Sequence, residues 1–422
     1  MRFEHISLEG HLLDEQTLAK VFAVLDEHGV SFQVHRFRIG EHVTDTSLIE
    51  LELRGDDGDR FEAALDVCEK FGLTRDEGDA RLTEADMDGV LPEEFYSTTN
   101  FTTQVRVEGE WVDVEALEMD CGIRVWREDN RWRAHTCPMH RVKAGDRLVV
   151  GFGGVKVVPS ADVAGEEDSF RFMSNEISSE RPKARMIADC ADAIRHAHKL
   201  GQKVLLVGGP AVIHSGSAWL LEALIEQGWI DVLFAGNALA THDIEAAMMG
   251  TSLGVDLGTG RGVSHGHTHH LRAINRVRRC GSIAAAVEKG LIPSGVMRAC
   301  VLKGVPFLLA GSIRDDGPLP DVITDNVAAQ DAMRMHTPGV GVAIMVATTL
   351  HSVATGNMLP AAVVTYCVDN DADTVIKLTD RGTHQAVGIV TDVEFFLKEL
   401  ASQLGCLGAE GSGIWNPGSG PD

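Results

Sequence analysis

From residue 3 to residue 11 apolar and polar positions roughly alternate, as in a half-buried strand, and Asp14 then caps a helical spacing that runs to His28. Alternation returns over 31–39 and 47–53, separated by Gly40 and Asp45, and 60–71 reads as helix again. The order β-α-β-β-α predicts a small open-faced α/β sandwich over residues 1–90, a structural or interface module. Residues 91–180 differ. Stretches 104–114, 123–135 and 147–158 alternate and are broken by Gly109-Glu110 and Asp129-Asn130, which predicts a β-rich substrate module, with acidic 162–168 as a linker.

Beyond Pro182, well placed in the first turn of a helix running to about Gly201, the pattern becomes short apolar runs, each ending in a turn and a helix. The stretch 203–245 shows it twice. Its first run ends in Gly208-Gly209-Pro210, with a helix opening near Ser215; its second, 230–235, ends in Gly236-Asn237, with Asp243 and Glu245 opening the next helix. Runs 305–310, 339–347 and 361–368 repeat the design, the last leading into a helix over 371–380, and 386–390 with 393–404 complete it. The prediction for 181–407 is a doubly wound parallel sheet of about six strands. Glycine- and histidine-rich 248–270 is placed on the surface, helices are expected over 271–288 and 294–303, and 408–422 is expected to be a disordered tail.

Composition narrows the function. The 62 acidic residues exceed the 38 basic ones, for a formal charge of -24, which repels nucleic acid and anionic membrane surfaces. No basic leader opens the chain and no run approaches the roughly 18 apolar residues of a membrane span, so a soluble cytoplasmic protein is expected. Eight cysteines, irregularly spread without a CxxC pair, point to reduced thiols.

Chemistry gathers at the strand ends. Backbone N–H groups where a helix starts beside Gly208-Gly209 can hold a pyrophosphate, although GGPA is not the GxGxxG fingerprint and also suits a tight turn. Asp369, ending a late strand, either accepts the hydroxyls of an adenosine ribose, favouring NAD over NADP, or caps the helix that follows Asn370 and Asp371. The loop 311–321 holds Ser312, Arg314, Asp315, Asp316 and Asp321 among stiff residues; a carboxylate there serves as acid or base, or Arg314 locks it. Tyr96 to Asn100 (YSTTN) and Met119 to Gly122 (MDCG) are polar clusters beside strands. His265, His267, His269 and His270 suggest metal, yet no Cys, Asp or Glu lies within a few residues to complete a shell. Cys280 is a core residue or an active-site thiol.

EFYSTTN with VRVEGEWVDVE and MDCGI, then VGGPAVIHSG, AGNALATHDIE, GTSLGVDLG, GHTHHLRAIN, LAGSIRDDGPLPD and DRGTHQAVGIVTDV, resemble the family carrying the LOR/SDH conserved region. Its members include the NAD-dependent alternative ornithine cyclodeaminases of archaea and the cyclodeaminase half of cyanobacterial arginine dihydrolase fusions. The resemblance covers nearly the whole chain. It implies a Rossmann-like NAD domain related to that of deoxyhypusine synthase, with amino-terminal modules closing over the substrate. Arginine hydrolysis is not expected, since the chain starts at the LOR/SDH part. Phe101-Thr102 depart from an expected His-Pro.

The implied reaction turns L-ornithine into L-proline and ammonia, with a hydride lent to NAD and returned to the ring. In this reading Arg106 meets the substrate carboxylate, Asp120 and Asn100 its amines, and Asp315 or Asp316 moves protons, while Cys280 shapes the substrate end. Gly208, Gly209, Pro210, Asn237, Ala238, Gly311 and Ser312 follow the cofactor, with Asp369 and Asn370 at the adenosine ribose. Two-domain sites of this kind often sit near subunit contacts, which points to a homo-oligomer. Competing readings are an NAD-dependent amino-acid or saccharopine-type dehydrogenase and a non-catalytic NAD- and amino-acid-sensing regulator.

Overall fold

Period-two alternation builds the first sheet. The computed structural model describes residues 2–10, 17–39, 47–56, 58–69, 73–75, 78–158, 183–256, 268–315, 317–382 and 386–407. Strands β1 (Arg2–Gly10), β2 (Ser31–Arg38), β3 (Ser47–Gly55) and β4 (Leu73–Arg75) pair antiparallel in the order β2-β3-β1-β4, with α1 (Thr17–Glu27) after β1 and α2 (Gly58–Glu69) after β3. Ile49, Leu51 and Leu53 point to one face of β3, where they meet Val21 and Leu25 of α1 and Phe61, Ala64, Leu65 and Cys68 of α2. Those helical spacings of three and four are the apolar stripe that covers a sheet. This β-α-β-β-α-β order is a split βαβ; β4 escaped sequence reading because three residues show no period. Asp14, Gly40, Asp45, the linker 162–168, Pro182 and the tail 408–422 lie outside the described residues.

The second sheet contains β5 (Arg81–Glu84), β6 (Thr102–Val107), β7 (Glu110–Glu115), β8 (Gly122–Glu128), β9 (Arg131–Cys137), β10 (Arg147–Val150) and β11 (Val155–Val158), in the order β11-β6-β7-β9-β8-β10-β5. Its two tight hairpins hold Glu108-Gly109 and Asp129-Asn130 at positive φ, the conformation that two-residue loops require and that Gly, Asn and Asp accept.

After α3 (Lys183–Lys199) the chain enters β12 (Lys203–Gly208), α4 (Ala211–His214), α5 (Ala218–Glu226), β13 (Val232–Gly236) and α6 (Asn237–Met249). A hairpin, β14 (Thr251–Ser252) and β15 (Val255–Asp256), precedes α7 (His269–Cys280), α8 (Ile283–Glu288), α9 (Val296–Lys303), β16 (Phe307–Ala310) and β17 (Val322–Ile323). Then come α10 (Asn326–His336), β18 (Val340–Val346), α11 (Thr349–Met358), β19 (Val364–Asp369), α12 (Ala372–Gly382), β20 (Ala386–Val390) and α13 (Val393–Gln403). The sheet is parallel throughout, in the order β17-β16-β13-β12-β18-β19-β20. Setting aside β17, this is the 3-2-1-4-5-6 order of the dinucleotide folds, and the direction of winding reverses between β12 and β18. β18 is buried along its whole length, as a strand covered on both faces must be.

Three expectations change. The sheet has seven strands, because two-residue β17 adds an edge. The helix expected over 271–288 is two helices, since Gly281 at φ 91 ends α7. Asp243 and Glu245 do not open a helix: α6 begins at Asn237, and both carboxylates are buried further along it.

The chain divides into two compact units, Met1–Ser174 with Asn357–Ala362, and Asn175–Gly356 with Val363–Asp422. All eight cysteines are free thiols, and no described helix is long and apolar enough to cross a membrane.

Candidate active site

Winding order places the ligand edge of the second unit at the carboxyl ends of β12 and β18. Gly209 donates its N–H to Val346 O at 2.9 Å, and a Cβ on Gly209 would stand 1.8 Å from Ala347 O. Glycine is therefore required here so that the chain leaving β12 can pass close to the backbone leaving β18, a different reason from the open cradle that the motif suggested. Gly208 is less constrained, its missing Cβ lying 2.8 Å from the tip of the Leu239 side chain.

On the next strand α6 starts at Asn237 with no side chain capping it, which leaves its first N–H groups, including that of Ala238, without side-chain caps at the edge. The Asn237 side chain is committed elsewhere, its Oδ1 accepting from Leu319 N at 3.0 Å and Thr241 Oγ1 at 3.2 Å. That bond pins the loop 311–321, which Arg278 also holds through Pro318 O and Asp321 holds through Ile283 N. Within the loop Ser312 N donates to Asp315 at 2.8 Å, so Asp315 closes a turn on Ser312; Gly311 N bonds Ile323 O. Asp316 lies outside the described residues.

At the tip of β19 the helix cap turns out to be Asp371, which accepts from Asp373 N, Thr374 N and Thr374 Oγ1. The Asp369 carboxylate accepts from Asp371 N and its backbone O from Thr391 N, with Asn370 exposed beside it. β19 is two strands from β12, so Asp369 stands about 10 Å across the sheet from Gly208, within the span of one nucleotide. Sequence reading missed His351, on the first turn of α11. Its ring covers the tip of β13, 2.9 Å from where a Gly236 Cβ would be, and its Nδ1 lies 3.2 Å from Thr348 Oγ1. Burial holds its pKa below the usual value. Only the separation of 115 residues hid it.

In the first unit the two polar clusters meet. Thr98 exchanges backbone bonds with Cys121 O and Asp120 N, at 2.8 and 3.0 Å, while its hydroxyl donates to Glu118 O and accepts from Cys121 N. Asp120, at φ 62, is exposed on this turn. Next to it Asn100 is 1 % exposed, its backbone O accepting from Ala361 N at 2.8 Å, yet among the described residues neither its Oδ1 nor its Nδ2 has a hydrogen-bond partner. A buried amide so placed costs about 1–3 kcal/mol and calls for a polar ligand. Arg106 is not gathered with it. It sits near the far end of β6, about 13 Å from Thr102 by strand rise, facing Asp79 at 3.9 Å.

Cys280 ends α7, partly buried against the core. His269 and His270 begin α7, and Thr251 and Ser252, expected on the surface, are buried against this end of the fold. His265 and His267 lie outside the described residues, and among the described residues no group of three or more His, Cys, Asp or Glu is arranged to hold a metal.

Family models match end to end along the chain: the LOR/SDH bifunctional enzyme conserved region over residues 3–101, the first C-terminal region of the ArgZ-like arginine dihydrolases over 102–187, and their Rossmann fold over 187–400. The chain belongs to this LOR/SDH, ArgZ-like family. A relative in the family, ornithine cyclodeaminase of Methanothermobacter thermautotrophicus, is 47% identical over 96% of this chain and 98% of its own. The crystal structure of apo ArgZ, an arginine dihydrolase from the ornithine–ammonia cycle in cyanobacteria, superposes with TM-score 0.82 at 36% identity, covering 96% of this chain. This chain spans 58% of that ArgZ chain. The ternary complex of AgrE with ornithine and NAD+ matches with TM-score 0.52 and 40% identity over 96% of this chain and 57% of that one.

Proposed function

We propose that this member of the LOR/SDH family is an NAD-dependent ornithine cyclodeaminase, converting L-ornithine to L-proline and ammonia. The observation that carries the reading is identity of 47% along nearly the full length of an archaeal ornithine cyclodeaminase. The residues present suit the cofactor: α6 offers uncapped N–H groups beside the winding reversal, and Asp369 offers a carboxylate within nucleotide reach. When bound, NAD supplies a hydride acceptor and donor, so that the reaction has no net redox change.

The chain's own residues bind, orient and move protons. In this reading Gly208, Gly209 and Pro210 shape the turn, Ala238 N–H faces the pyrophosphate, and Asn237 stiffens the loop carrying Gly311 and Ser312. Asp369 and Asn370 take the adenosine ribose. Asn100 supplies both an acceptor and a donor to the head group of an α-amino acid, which carries one ammonium and one carboxylate. Asp120 takes an amine, Asp315 or Asp316 serves as acid or base, Cys280 borders the site, and Arg106, which β6 carries away from Asn100, is left out of it. The enzyme acts in the cytoplasm as a homo-oligomer built of modules 1–90, 91–180 and 181–407.

Purified protein incubated with ornithine and catalytic NAD should yield proline and ammonia in equal amounts without accumulating NADH. Stoichiometric NADH would mark a dehydrogenase, and tight NAD binding without turnover a sensor.

A further inference from the structure

A cluster of imidazoles unused so far lies in the second unit. Glu245, fully buried on α6, accepts from Thr251 Oγ1 at 2.9 Å, Gly254 N at 3.0 Å and Leu253 N at 3.2 Å, and His242 Nδ1 lies 2.9 Å from its Oε2. Burial alone would raise its pKa, but the bonds from His242, Gly254 and Thr251 outweigh it and hold the carboxyl below the usual range. A charged carboxylate only accepts, so the proton on this contact belongs to His242 Nδ1 and leaves Nε2 as the working atom.

The His242 ring is buried and its centroid is 4.7 Å from that of His214, the last residue of α4. His214 is exposed, with Nδ1 2.7 Å from Ser252 Oγ. Burial first, and then the charge of His242, keep His214 below the ordinary imidazole value, so the two rings resist charging together. The pair joins a buried imidazole to one that reaches solvent. Also facing His242 are His270 of α7, at 6.3 Å between centroids, and the uncharged Thr251 and Ser252; His269 reaches Thr251, while Asp243 turns to α9. The pair sits close to the ligand edge: His242 is five residues into α6, about 8 Å along the axis, and helical side chains lean back toward the helix start, here the tip of β13.

We propose that His242, oriented by Glu245 and backed by His214, moves protons at the reacting carbon during ring closure, an assignment that rests on the ornithine cyclodeaminase reading. Once the δ-nitrogen has bonded to the α-carbon, that carbon carries two nitrogens. The new one must lose a proton and the old one gain one before its C–N bond breaks, the electron pair leaving with nitrogen as ammonia. His242 does both in turn: its Nε2 takes a proton from the ring nitrogen and gives it to the departing nitrogen, so that no proton is consumed.

The test is single-turnover mixing of parent and His242→Gln with ornithine and NAD, following NADH absorbance and ammonia, with NAD affinity as the check on folding. Glutamine can still donate to Glu245. The expected result is a variant that binds NAD as the parent does and shows an NADH burst, but releases ammonia about 100-fold more slowly or worse. Ammonia release within threefold of an active parent, or loss of burst and ammonia together with NAD still bound, overturns the role of His242 alone. A parent that makes no proline instead sinks the ornithine reading. If His242→Gln fails to bind NAD, His214→Asn decides: it should keep the NADH burst and slow ammonia release at least about threefold, and release at the parent's rate overturns the pairing of the two rings.

Discussion

Two buried polar side chains stand in opposite conditions. Asn100, in the first unit, has no hydrogen-bond partner on either amide atom among the described residues, whereas Glu245, in the second, has its oxygens engaged by two backbone N–H groups, a hydroxyl and an imidazole. An unpaired buried amide weakens the fold; a satisfied carboxylate strengthens it by joining α6 to the following hairpin. The difference separates recognition from scaffolding. Groups left open by the chain await a ligand, and groups closed by the chain orient their neighbours.

The sharpest break of this comparison is at Asp243, which like Glu245 is closed: it accepts from Val296 N at 2.9 Å and Met297 N at 2.8 Å at the start of α9. Asp243→Ala leaves those donors buried and unpaired and should cost about 3 kcal/mol in denaturant unfolding. Burial pushes the Asp243 carboxyl up to about 7, from an ordinary 3.8, against the pull of those two N–H bonds. Between pH 4 and 7 the folded chain then keeps a proton that the unfolded chain has lost, so this group makes stability fall as pH rises through that window. Asp243→Asn should flatten that part of the curve of unfolding free energy against pH.

Asn100→Leu should do the reverse. Similar in shape and apolar, it should leave stability unchanged or raise it by about 1 kcal/mol, while increasing KM for ornithine at least about tenfold. A parallel loss of stability in thermal melts would place Asn100 among the scaffold residues. A smaller effect is expected at Asp369→Asn, about three- to tenfold weaker NAD binding by calorimetry with ornithine contacts untouched. The smallest is at Arg106→Ala, where kcat/KM should change by less than about threefold, because β6 carries Arg106 away from Asn100.

Much of the architecture was legible from periodicity. β20 falls on residues 386–390 as expected, and β13, β18 and β19 lie within the expected runs or one residue beyond them, because a fully buried parallel strand is an unbroken apolar run between turns. Short β4, β5 and β17 have too few residues to show a period. The histidine run was harder. No carboxylate lies near His269 in the sequence, yet Thr251 links it to Glu245, 24 residues earlier.

The amino-acid sequence by itself determined the three kinds of region, the doubly wound sheet and the family, because these depend on local period and on long ordered motifs. Only the tertiary structure decided that Gly209 serves a close approach of the backbone leaving β12 and β18, that Asp243 and Glu245 are buried anchors, that Asp371 rather than Asp369 is the helix cap, and that the Asn100 amide is left unpartnered among the described residues. The physical reason is one of range: hydrogen-bond satisfaction and burial are settled between residues far apart in the chain, where no spacing rule reaches.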